Sequence, residues 1–303
     1  MSENYTPNYK KLTTKEFEEK IEKLNKIASK CTLCPRKCQV NRLKGEKGYC
    51  GAPGDIVVSS YFAHSGEEVF ISGTNGSGTI FFSFCNLKCV FCQNYDISFK
   101  KGDYNTITPY QLSKYMIYLE KLGCHNINLV TPTHFIFRIL QSIKIASENG
   151  LSIPIVYNCG GYESVDVIKI LDGVIDIYMP DIKFFFPETS QRYANAPDYF
   201  DNIKDVIKIM YQQVGNLKII DGVAKRGLLI RHLIMPEHLD DTEKILKFIS
   251  EEISRDVYIN LMDQYHPAGQ SYRFPEISRT ITNKEFERGI KIAKVYGLHN
   301  IIY

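Results

Sequence analysis

The chain has 303 residues, enough to bury a substantial core in one large domain or in one domain with a small appendage. Its 37 basic and 34 acidic residues leave a formal charge of +3 without a lysine or arginine run, so no nucleic acid is expected as a partner. No apolar run approaches membrane-spanning length and the opening MSENYTPNYKKLTTKEFEEK has no apolar signal core, so a soluble, cytoplasmic protein without a membrane partner is expected, whose nine cysteines bind metal under reducing conditions rather than form disulfides.

In chain order, Thr13-x-x-Glu16 is a capping box, and Phe17, Ile21, Leu24 and Ile27 follow at helical spacing, predicting an amphipathic helix packed against the body. Next come Cys31, Cys34 and Cys38 in a Cys-x2-Cys-Pro-x2-Cys run, then Cys50 among Gly45, Gly48 and Gly51. Four thiolates with glycine turns close a metal site, either a 4Fe-4S cluster or zinc, and the residues do not choose between them. Arg36, Lys37, Arg42, Lys44 and Lys47 make this module basic, which either solvates it or faces an anionic partner. Residues 56–62 and 68–71 read as short strands, a hairpin or an edge extension, and complete an N-terminal unit over 1–72. The glycine-rich stretch 72–78 has no phosphate-loop lysine and precedes a strand, which argues against nucleotide triphosphate binding.

The strand 79–82 runs into Cys85, Cys89 and Cys92, a Cys-x3-Cys-x2-Cys run in a segment too polar for an ordinary core strand. Three thiolates without a local fourth suit an iron-sulfur cluster with one iron open, whereas structural zinc would fill all four positions. Strands and helices then alternate. Thr108-Pro109-x-Gln111 starts a helix that Gly123 stops, followed by strand 126–131, helix 135–146, strand 153–158, helix 165–171 and strand 174–179. A helical stretch 188–211, interrupted near Ala196-Pro197, precedes strand 228–234, helix 239–249, strand 257–262 and a last helix from Thr282-x-x-Glu285 to Val295. Six strands with helices between them imply a parallel, curved sheet over 73–303, an open or partial barrel rather than a closed one.

Polar residues after the carboxyl ends of such strands surround one mouth. They are Thr131, Thr133 and His134, Asn158, Asp181 and Lys183, Arg231 and His232, and Gln264 and His266. His232 alternates with Arg231 and has the outward face open to it; Lys183 has an ordinary ion pair with Asp181 as its alternative; Cys159 is expected to pack.

The three-cysteine run, with Phe91 just before its last cysteine, resembles the radical SAM superfamily. The resemblance implies an α/β fold, a partial (β/α)6 TIM-like barrel of the radical SAM type, here with a small N-terminal cysteine-rich module. It implies a 4Fe-4S cluster on Cys85, Cys89 and Cys92, S-adenosyl-L-methionine on the open iron, and reductive formation of a 5'-deoxyadenosyl radical for hydrogen abstraction. The upstream module is similar to that of the larger relatives of pyruvate formate-lyase-activating enzymes. That likeness implies activation of a glycyl radical enzyme or radical modification of a peptide or small molecule, a reductant such as flavodoxin or ferredoxin, and a protein or peptide substrate. An iron-sulfur electron-transfer protein is the non-enzyme alternative. Carried over by position, the resemblance assigns cofactor contacts to Phe91, Thr131, Thr133, His134, Asn158, Lys183 and His266, and catalytic roles to Lys183, His266 and Arg231. Thr131 to Thr133 stands where the family has Gly-Gly-Glu, so neutral acceptors replace a carboxylate at the methionyl amino group.

Overall fold

The computed structural model describes residues 5–99, 102 and 104–303; residues 1–4 of the opening segment lie outside the described residues. Short 3-10 turns and the π-helical turn Ile249–Ile253 aside, the elements begin with α1 (Thr14–Ser29), β1 (Val58–His64), α2 (Val69–Ser72), β2 (Ser77–Phe82), α3 (Tyr95–Ser98), α4 (Pro109–Lys121) and β3 (Ile127–Val130). They continue with α5 (Ile136–Glu148), β4 (Ile155–Cys159), α6 (Val165–Ile170), β5 (Ile177–Pro180), α7 (Pro187–Ala194) and α8 (Tyr199–Val214). The last are β6 (Lys218–Ile220), β7 (Val223–Leu233), α9 (Leu239–Phe248), β8 (Tyr258–Met262), α10 (Asn283–Val295) and β9 (Asn300–Ile302).

Local chemistry sets the helix starts. Thr13 with Glu16, Thr108 with Gln111 and Thr282 with Glu285 form reciprocal capping boxes, and Pro109 takes the first helical position of α4. Gly123 at φ 89° and Gly297 at φ 68° take the left-handed turn just past α4 and α10.

The strands form one mixed sheet in the order β1-β2-β3-β4-β5-β7-β8-β9, with β6 paired to β7 off that path. From β2 to β9 along the path every pair is parallel, while β1 and β6 pair antiparallel to β2 and β7. Strand alternation splits the side chains between two faces. Ile155, Tyr157, Tyr178, Leu228, Ile230 and Ile259 join the large core shared with the helices and with Phe17 and Leu24 of α1. Val156, Ile177, Met179 and Leu229 form a smaller cluster on the other, inner face, where Ile71 of α2 packs against them. Among the described residues no helix is long and apolar enough to cross a membrane.

Three expectations change. Residues 68–71 are not a strand: amides of Ile71 and Ser72 fold back onto the carbonyl of Glu68, and the short helix α2 buries Ile71 on the inner face. The expected strand 228–234 starts at Val223, because Asp221 (φ 51°) and Gly222 (φ 79°) turn the chain into a hairpin with β6. The six strands expected to run parallel do so, and β9, absent from that expectation, adds a seventh beside β8.

Candidate active site

The cysteine loop leaves β2 through backbone that L-residues rarely adopt: Phe84 has φ 72° and Lys88 φ 54°. Such strain persists only where neighbours fix it. Here Ser83 donates to the Val57 carbonyl (3.0 Å), Phe84 to Ile97 (2.8 Å), Val90 to Tyr193 (2.9 Å), and Gln270 to Val90 (2.6 Å). Within the loop the Leu87 amide donates to Cys85 Sγ at 3.3 Å, and Cys92 Sγ lies 3.2 Å from Ser98 Oγ. Burial pushes the Cys85 thiol up to about 11 and the Cys89 thiol higher still, with the charge of Lys183 pulling both back. Without a cation to replace the proton, these thiols stay protonated at neutral pH.

At the neighbouring strand ends four side chains interlock. Lys183 Nζ donates to Asp181 Oδ2 at 2.5 Å, Arg231 Nε to Asp181 Oδ1 at 2.8 Å, and Arg231 Nη2 to Asn158 Oδ1 at 2.7 Å. Arg231 Nη1 also reaches Glu67 Oε2 at 3.5 Å. Burial alone would raise Asp181, but Arg231 and then Lys183 hold its carboxyl below the ordinary range. Burial alone would lower Lys183, and Asp181 instead holds it above its ordinary value. Asp181 is therefore an anion between two cations, aligned beside the cysteine loop.

The other expected contacts divide. Thr131 turns at φ 61° and its amide donates to the Asn158 carbonyl (2.8 Å), so it belongs to the mouth. Thr133 is buried and its hydroxyl donates to Glu163 Oε1 at 2.6 Å. His134 is buried with Nε2 2.8 Å from the Ser83 carbonyl, and burial drops its pKa to about 3, leaving a neutral ring behind the cysteine loop. Phe91 packs among Phe184, Tyr193 and Tyr265. His266 is exposed at the rim, Nδ1 3.2 Å from the Gln264 carbonyl and 3.5 Å from Gln93 Nε2, next to Cys92 in the chain. His232 takes the outward option, held by the Ile182 carbonyl and the Thr242 hydroxyl. Cys159 is buried, as expected of a packing residue.

Two carboxylates escaped the sequence reading. Glu67 meets Arg231 on the inner face, and Glu163 sits fully buried under β4, bonded by Thr133 and by Tyr157 at 2.9 Å. Adjacent acids opening an apolar run, at Glu67-Glu68, were the available sign of the first; the second had none. Burial raises Glu163 to about 7, against hydrogen bonds that pull it down. A raised carboxyl contributes most stability below its unfolded pKa and loses it as pH rises through the folded value. Melting curves of Glu163→Gln should therefore lack the decline that the wild type shows between the ordinary carboxyl range and about pH 7, and an unchanged slope would place the titration elsewhere.

Cys31, Cys34, Cys38 and Cys50 line one small cavity, whose other walls include Arg42, Asn86 and His134. Gly48 is needed there, since a Cβ would stand 2.8 Å from Cys38 Sγ. The Tyr49 amide donates to Cys38 Sγ at 3.2 Å. Arg42 is 1 % exposed, donates from Nη1 to Cys50 Sγ at 3.3 Å, has a buried Nε without a partner, and has no carboxylate partner among the described residues. A buried cation of this kind needs an anion. Metal-bound thiolates supply one, so this donor set fits a metal-thiolate centre. Among the described residues no three His, Cys, Asp or Glu side chains converge as ligands of a single ion. A cubane cluster takes one thiolate per iron, so its ligands need not share one point. Both cysteine groups fit that demand in donor type, with Cys31, Cys34, Cys50 and Cys89 buried and Cys38, Cys85 and Cys92 half-buried. Arg36 joins them, donating to the Asn86 carbonyl at 3.0 Å and the Ala194 carbonyl at 2.9 Å.

The chain is similar to several known proteins. Two uncharacterised proteins of Methanocaldococcus jannaschii are similar: one is 36% identical over 293 residues, covering 94% of this chain and 80% of its own, the other 25% identical over 295 residues, covering 89% and 80%. Among solved structures, HydG, a maturase of the FeFe hydrogenase, superposes with a TM-score of 0.51 at 14% identity, covering 98% of this chain and 64% of its own, a likeness of fold. Residues 79–249, more than half of the sequence and the part that carries Cys85, Cys89, Cys92, Asn158, Asp181, Lys183 and Arg231, match the family described as the Radical SAM superfamily, and the chain belongs to that superfamily.

Proposed function

We propose that this enzyme binds a 4Fe-4S cluster through Cys85, Cys89 and Cys92, leaves one iron for S-adenosyl-L-methionine, and uses the pair to abstract hydrogen from a substrate at the mouth of a partial (β/α)6 barrel. The observation that carries this reading is the strained three-thiol loop lying beside the Lys183–Asp181–Arg231–Asn158 network. When bound, cluster and cofactor supply reductive cleavage of the sulfonium to a 5'-deoxyadenosyl radical.

The chain's own residues would bind, orient and shield. Lys183 and Arg231 present N–H donors suited to a carboxylate or ribose oxygens, while Asp181 fixes both by charge. Thr131 and the backbone around it stand in for the acidic acceptor at the amino group, and rim-exposed His266 suits the ribose or methionyl portion. The packed rings of Phe91, Phe184, Tyr193 and Tyr265 exclude water behind the loop. The N-terminal unit over 1–72 would carry the second centre, a 4Fe-4S cluster or zinc, on Cys31, Cys34, Cys38 and Cys50. A flavodoxin or ferredoxin would be the reductant.

Anaerobic reconstitution tests the reading: iron, sulfide and zinc are quantified, then reductant and S-adenosyl-L-methionine are added and 5'-deoxyadenosine is measured. Absence of that product from fully loaded protein would favour an electron-transfer protein. Deuterium transfer into deoxyadenosine from a glycyl radical enzyme, a peptide or a small molecule then assigns the substrate class. In the same assay Cys50→Ser should lose one metal complement, iron with sulfide or zinc, while keeping the other; unchanged metal content would remove the second centre.

A further inference from the structure

Beneath the Arg231 network the inner face holds a second group of acids that the proposed chemistry leaves unused. Glu67 Oε1 accepts from Asn128 Nδ2 of β3 at 2.9 Å, and Glu68 Oε1 accepts from Asn260 Nδ2 of β8 at 2.8 Å. Asn260 is the register partner of Arg231, so both acids sit under the same part of the sheet. Glu68 is 8% exposed and its second oxygen, Oε2, is buried without a hydrogen bond; so is Oδ1 of Asn128, a residue wholly inside. Two sealed acceptors without donors are costly unless a donor arrives.

Charge points the same way. Glu67, Glu68 and Asp181 are three carboxylates, against the two cations Arg231 and Lys183. His64 acts on Glu67 more weakly than Arg231 does. Burial raises Glu67, so a proton there could balance the charge, yet it would leave Glu68 Oε2 and Asn128 Oδ1 without donors. A compact ammonium brings both the charge and three N–H donors.

We infer that Glu67 and Glu68, with Asn128 and Asn260, form a subsite on the inner face that takes a primary ammonium group of the substrate. This rests on the proposed radical chemistry for what happens to that substrate, but the recognition itself is a property of these four side chains. Arg231 connects the subsite to Asp181 and Asn158, so an ammonium bound there anchors the remainder of the substrate toward the mouth.

The test uses the reconstituted full chain with S-adenosyl-L-methionine and no reductant, probed by ligand-observed NMR and calorimetry with n-butylammonium, n-butanol and n-butyltrimethylammonium. The wild type should bind n-butylammonium at least ~10-fold more tightly than either analogue, since the alcohol lacks the charge and the quaternary amine lacks the donors. Glu68→Gln should erase that margin with its melting temperature kept, and Glu67→Gln carries the same comparison if the first variant does not fold. Equal affinities in the wild type, or no binding of the amine, overturns the subsite, as does a folded Glu68→Gln protein that retains the whole margin. Deoxyadenosine formation is scored separately on the wild type with reductant, so failure of the radical reading and failure of the subsite give different results.

Discussion

Cys89→Ala should lower reductive formation of 5'-deoxyadenosine by at least ~1,000-fold, with loss of the iron and sulfide assigned to the loop. Cys89 is the middle thiol of the three, 7% exposed, and the one on which the Lys183 charge acts most among its charged neighbours. If each thiolate holds a separate iron, two cannot replace three. The substitution is mild as packing, because a buried free cysteine behaves as a small hydrophobe, so stability should change by only about 1 kcal/mol. Cys124→Ala is the control: Cys124 is also buried but stands ahead of β3, outside both cysteine groups, and should retain metal and product. Equal product from Cys89→Ala and the wild type would sink the assignment of the loop, whatever the metal content.

The sequence made the outer architecture legible because it depends on local rules. Capping boxes at Thr13, Thr108 and Thr282 operate within one helical turn, and the apolar strands 126–131 and 153–158 bury on both sides. Spacing alone also placed Cys85, Cys89 and Cys92 in one loop. What escaped is what depends on long-range placement. Residues 68–71 have strand-like composition, yet Glu68 caps a helix because that places Ile71 on the inner face. Thr133 and His134 follow a strand end like Thr131 does, but the 3-10 turn after Pro132 carries their side chains to Glu163 and Ser83. The choice between Arg231 and His232 followed from alternation once the register of β7 was known: Arg231 faces inward with Leu229, and His232 faces α9 with Ile230. Glu163 could not be found in advance, since its burial depends on Thr133 from the turn after β3 and Tyr157 from the middle of β4 meeting it.

The largest stability effect should come from Arg231→Leu, expected to cost about 3–5 kcal/mol, because it leaves Asp181 and Glu67 buried without their shared cation. Arg231 contacts three acceptors on three segments, Asp181, Asn158 and Glu67, with its side chain 15% exposed. Arg231→Lys keeps the charge but lacks a planar fork able to reach all three, so it should recover only part of the loss. The pH dependence fixes the cause. Asp181 has a depressed folded pKa, so its contribution is present above the unfolded carboxyl pKa and is lost as pH falls through the folded value. Lys183, with a raised folded pKa, contributes fully below its unfolded value and loses that contribution as pH rises through the folded one. Arg231 also faces Glu67, which burial holds above the ordinary carboxyl range, so the wild-type advantage over Arg231→Leu in denaturant midpoint should shrink as pH falls, first as Glu67 and then as Asp181 takes up a proton. S-adenosyl-L-methionine affinity supplies the second readout: a purely structural Arg231 would leave it unchanged in folded Arg231→Lys, whereas an arginine that also presents donors to the cofactor should weaken it by ~10-fold or more. A stability loss in Arg231→Leu that stays constant from pH 7 into acid would instead assign the effect to lost packing of the arginine stem, and the charge network would then have no part in holding the mouth together.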